Sequence, residues 1–133
     1  MITNYDKQIA LQNIGYDAEY LDTLSGGALT RLWLDEIAKA DIIHWVKEKG
    51  EYDGVAHTLF LDGFNGACNI TGRGGNYTDI LGLFACKTID GVTDGLSVLV
   101  ATANDSDQIF ADLTDFNADV IDRIYDFVVN YKK

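Results

Sequence analysis

The stretch YTDILGLFACKTIDGVTDGLSVLVAT, residues 77–102, decides the fold. It holds two segments rich in apolar, β-branched and aromatic residues, 77–89 and 96–102, separated by Asp90-Gly91 and Asp94-Gly95. Each segment has the length and composition of a strand. Asp-Gly favours a tight reversal because Gly, and Asp to a lesser extent, accept positive φ. Links this short impose antiparallel pairing, since a parallel crossover needs about a dozen residues or more. Upstream, 55–61 reads as another strand, with Asp53-Gly54 and Asp62-Gly63 as turns. Residues 67–71 read as a short strand pairing with the one that starts at Tyr77.

Helices flank this middle third. Thr3 with Asp6 forms a capping box, with Asp in place of Glu, and Gly15 is a C-terminal stop. Asp17 caps a short helix through Leu24, and Ser25 precedes a long periodic run. In that run Leu29, Leu32, Trp33, Ile37 and Ala40 share one predicted face, and the pattern continues to Gly50. One helix, or two abutting helices with Asp41 as the second N-cap, both fit. Residues 107–113 read as one or two helical turns. Thr114 or Asp115 then caps an amphipathic helix reaching Tyr131. The predicted fold is α+β: N-terminal helices, a three- to four-stranded antiparallel meander, and a C-terminal amphipathic helix packed on the sheet. Residues 1–133 form one domain in this reading.

The 133 residues include 47% apolar and 23% charged side chains, a balance that supports a core and argues against disorder. Asp and Glu number 21 against 10 Lys and Arg, a net charge of −11, and proline is absent. Such a field repels phosphate, which argues against direct nucleic-acid binding. No apolar run has the ~18–20 residues of a membrane span, and the N-terminus carries no signal-like apolar segment. Cytoplasmic residence is expected, with Cys68 and Cys86 as reduced thiols.

The acid is concentrated. Asp105, Asp107, Asp112, Asp115, Asp119, Asp122 and Asp126 lie within 22 residues that contain a single base, Arg123. On a helix at about 100° per residue, Asp115, Asp119, Asp122 and Asp126 form one stripe opposite Phe116, Val120, Ile121, Ile124, Phe127, Val128 and Tyr131. Like charges at this spacing repel by a few tenths of a kcal/mol per pair, and Asp is a poor interior helix former. The stripe would span about 16.5 Å, over which one DNA strand places about five phosphates. It reads as a solvated face or as a docking surface for a basic protein partner. In size and charge the chain is similar to small acidic inhibitors that phages and mobile elements direct against restriction or CRISPR nucleases. It carries no motif of a particular family.

A glycine-rich segment, residues 63–79, offers the alternative: a small-ligand or anion-binding module, or an enzyme, with Phe64, Arg73 and Tyr77 as contacts. It is neither a Walker A loop nor a dinucleotide fingerprint, and reads equally as a flexible hairpin loop. His44 and His57 have no ligand spacing, there is no C-x-x-C, and none of Ser25, Ser97 and Ser106 sits in G-x-S-x-G. A non-enzymatic protein without cofactor or metal is therefore expected. Self-association through Trp33, Trp45 and tyrosines is a third reading.

Overall fold

Helix starts in the first third are set by side-chain caps. The computed structural model describes residues 2–61, 67–69, 77–87, 93–102 and 108–131. Helix α1 (Asn4–Asn13) opens with the expected capping box: Asp6 N–H donates to Thr3 Oγ1 at 3.1 Å, and Thr3 N–H donates to the Asp6 carboxylate at 2.9 Å. It ends just before Gly15, which takes φ +114°. Helix α2 (Ala18–Asp22) is capped by Asp17, and α3 (Gly26–Trp33) by Ser25.

Helix α3 does not stop at Trp33. It passes through a π-helical turn, Leu34–Ala38, directly into α4 (Lys39–Lys49). The junction is therefore this wide turn and not Asp41, which sits exposed in the first turn of α4. A π turn inserts one residue into the helical period. The buried line accordingly runs Leu29, Trp33, Ala38, Ile42, Val46, with a step of five between Trp33 and Ala38. A uniform period put Ala40 on the buried face; it is exposed.

The sheet is an antiparallel meander, as expected. Strands β2 (Ala56–Phe60), β4 (Tyr77–Lys87), β5 (Thr93–Thr102) and β6 (Gln108–Asp112) lie side by side in that order. The two-residue β1 (Glu51–Tyr52) adds to β2, and β3 (Ala67–Asn69) pairs with the start of β4, Asn69 opposite Tyr77. Strands β2 and β3 run in the same direction along the same edge of β4. Leu59, Leu83 and Val98 stand opposite one another across three strands and face the helices. An irregularity between Ile80 and Gly82 resets the alternation, so Ile80 also faces the core. Helix α4 covers β2, β4 and β5, and α5 (Ala118–Val129) completes the layer with Val120, Ile121, Ile124 and Val128.

Three local expectations are corrected. Residues 108–112 are strand β6, not helical turns: this short apolar run satisfies its backbone on the open edge of β5, and period alone does not separate the two states. Asp94-Gly95 lies inside β5 instead of making a turn. The last helix starts at Ala118, after a 3₁₀ turn, Leu113–Asp115, capped by Asp112. Asp53-Gly54 does turn as expected, with Gly54 at φ +95° and the Asp53 carboxylate accepting from Val55 and Ala56 N–H at 2.9 Å. Asp62-Gly63 and Asp90-Gly91 lie outside the described residues.

Register also bears on the thiols. Cys68 stands opposite Thr78, and Cys86 lies eight residues further along β4. At about 3.3 Å per residue that separates them by roughly 26 Å, against the ~7 Å limit for a disulfide.

Gly50 ends α4 where the chain enters β1, against Thr58 of β2. A Cβ there would overlap the carbonyls of Thr58 and Val46, both backbone atoms that cannot swing away. Gly50→Ala is expected to cost about 3 kcal/mol in urea unfolding. Hydrogen bonds from Thr3, and from Ala56 and Val55, hold the Asp6 and Asp53 carboxyls below the usual Asp range. The stabilisation they give is complete above the ordinary Asp pKa and is lost as pH falls through the lowered values. Carbon-detected NMR titration should show these two carboxyls protonating below the ordinary Asp pKa as pH falls.

Candidate functional site: an acidic helical surface

Two of the first third's charges are turned inward. Lys7, on α1, is fully buried. Its ammonium donates to Thr30 Oγ1 at 2.8 Å and to Asp122 Oδ2 at 2.9 Å. Asp122 Oδ1 approaches to 2.7 Å in charge contact without accepting a hydrogen bond, and the Trp33 ring lies 5.3 Å away. Arg31, on α3, is half-buried and donates through Nε to the Thr114 carbonyl at 3.2 Å, reaching the Phe116 carbonyl at 3.5 Å. It thereby pins the chain just before α5.

These are the bases within residues 2–36, and both serve the interior. The acids of the same stretch, Asp6, Asp17, Glu19, Asp22, Asp35 and Glu36, are all exposed. The described surface of α1, α2 and the π turn therefore carries six exposed carboxylates, while Lys7 is buried and Arg31 half-buried. Sequence reasoning missed this because Lys7 and Arg31 count toward the local balance until their burial is known.

The predicted stripe on the last helix is only partly realised. Asp115 ends the 3₁₀ turn and precedes the helix. Asp122 is consumed by Lys7, with its side chain 22% exposed. Asp119 is exposed and Asp126 half-buried on the outward side. Asp112 is exposed but engaged locally, accepting from the N–H and hydroxyl of Thr114. Asp105, Asp107, Phe64 and Arg73 lie outside the described residues, and Tyr77 opens β4.

Tyr125 sits beside Asp126, with its ring edge-on to Trp33 at 4.8 Å and to Trp45 at 5.6 Å. Burial raises its hydroxyl pKa, and repulsion from Asp41 and Asp126 adds to the effect. The charge near the end of α5 thus includes Asp41 of α4, a contribution the one-helix stripe did not contain. Trp33 is 1% exposed, which removes it from any self-association surface. His44 is a surface group, 3.2 Å from Glu48.

Neither groove nearby resembles an enclosed ligand site. One, of about 160 Å³, is lined by Arg31, Leu34, Asp35, Lys39, Leu96 and Asp112; ligand pockets usually hold about 300–1,000 Å³. The other, about 370 Å³, lies open beside Lys49, Glu51, Asp53, Thr58, Phe60 and Tyr131. Among the described residues no group of three or more His, Cys, Asp or Glu could hold a metal ion, and no helix is long and apolar enough to cross a membrane. The chain matches no family model, no curated protein and no solved structure.

The aspartates of α5 are therefore not equivalent. Asp122→Asn, which strands a buried ammonium, is expected to cost about 3 kcal/mol, whereas Asp119→Asn should stay within about 0.5 kcal/mol. The pair replacement Lys7→Met with Asp122→Leu should recover most of the loss, because two apolar groups need no charge partner. Urea unfolding of the three variants checks the order.

Proposed function

We propose that the chain is a small acidic binding protein, not an enzyme, that works in the cytoplasm by docking on a basic surface of a protein partner. The observation that carries this reading is the exposed acid of α1, α2 and the π turn: six exposed carboxylates, with Lys7 buried and Arg31 half-buried against the Thr114 carbonyl. Exposed Asp119 and half-buried Asp126 on α5, with Asp41 contributing beside Tyr125, extend the same sign. Complementary charge steers encounter and excludes acidic competitors.

The finer form of the proposal is an inhibitor that occupies a groove built for nucleic acid, of the type phages use against CRISPR or restriction nucleases. Asp119 to Asp126 spans about 10.5 Å of helix, close to three phosphate steps of one DNA strand. Carboxylates on α1, α2 and the π turn, instead of a four-residue stripe, would supply the remaining charge.

Affinity capture from host lysate at low and high salt tests the reading. A captured partner should be lost steeply as salt rises. It should bind at least tenfold more weakly to the variant Glu19→Gln, Asp22→Asn, Asp119→Asn, Asp126→Asn. These positions avoid Lys7 and Asp122, so the fold should persist by circular dichroism. Salt-independent capture, or undiminished binding by the folded variant, contradicts the proposal.

A further inference from the structure

Helix α1 is inside out. Its buried positions are Lys7 and Leu11, while Tyr5 is 70% and Ile9 38% exposed. At about 100° per residue Tyr5 and Ile9 each point about 160° from Lys7, on the outward side of the helix. A helix whose only task is to close a core carries the reverse pattern. The buried ammonium cannot simply rotate outward, since its contacts with Thr30, Asp122 and Trp33 tie α1 in this orientation. The apolar pair is thus presented to solvent by a fixed scaffold.

The geometry points to the outward face of α1 as a docking epitope, with Tyr5 and Ile9 as the apolar anchor and Asp6 beside them. The occupant is a basic protein surface: an apolar pocket rimmed by Lys or Arg. Charge complementarity selects it. Asp6, Asp17, Glu19 and Asp22 are exposed on α1, α2 and the loop between them, and no exposed base accompanies them on these two helices. A second copy of the chain would bring this acid against itself, a like-charge contact that opposes association. Tyr supplies large contact area at low entropic cost, which suits it to the anchor position. For the sign of the partner the inference rests on the acidic-binder reading above; the location of the epitope is its own.

A randomised displayed 16-residue peptide library supplies the probe. Wild-type chain is used for selection, and the variant Tyr5→Ser/Ile9→Ser for counter-selection. Both side chains are exposed, so the variant should keep its fold, which thermal melting verifies. Enriched peptides should pair apolar residues with Lys or Arg and bind the double variant at least tenfold more weakly. Basic peptides that bind wild type and variant alike would overturn the α1 epitope while leaving the acidic-binder reading in place. Enrichment of peptides without basic residues would overturn the partner chemistry in both. No enrichment over the counter-selected variant also overturns the epitope, as does sedimentation showing a dimer of the wild type that Ile9→Ser dissolves.

Discussion

The architecture of the helical layer depends on one buried ammonium. Lys7 joins three helices at a single point: its own α1, α3 through Thr30, and α5 through Asp122. These residues are separated by 23 and 115 positions in sequence, so the contact closes the chain's two ends against each other. Burial of a charge is costly in a low-dielectric interior and is tolerated only with close partners. The consequence is orientation. An apolar residue in place of Lys7 could slide or rotate among neighbours; an ammonium with fixed acceptors cannot do so cheaply.

Orientation then determines the surface. Because Lys7 is buried, the exposed charge of α1 and α2 is negative, and because Lys7 faces inward, Tyr5 and Ile9 face outward. The ion pair that organises the core is thus also what makes the exterior acidic and partly apolar. On the opposite side of the helical layer the meander supplies a plain platform, with Leu59, Leu83 and Val98 in register under α4.

Much of the fold was legible in the sequence because the signals were local. Caps at Thr3, Asp17 and Ser25, a glycine stop at Gly15 and a turn at Asp53-Gly54 each act within a few residues. The strand-like composition of 77–89 and 96–102 and the short link between them pointed to antiparallel pairing, which β4 and β5 adopt. What failed was non-local. The π turn at Leu34–Ala38 shifts the buried face by one residue, and no periodic template contains that step. Residues 108–112 become a strand because β5 offers an open edge. Asp122 leaves the solvent stripe because a lysine 115 residues away points at it. Sequence alone places the acid on the last helix, whereas six exposed carboxylates lie on α1, α2 and the π turn, where Lys7 and Arg31 mask them in a charge count.

The most direct test of this account is the side-chain ¹⁵Nζ NMR spectrum of the lysines. A buried, hydrogen-bonded ammonium at Lys7 should give a signal whose protons exchange slowly with water, lie close to the Trp33 ring, and disappear from that position in Asp122→Asn. Lysine ammonium signals that all exchange at the rapid rate of exposed side chains, or a Lys7 signal indifferent to loss of the Asp122 charge, would contradict it.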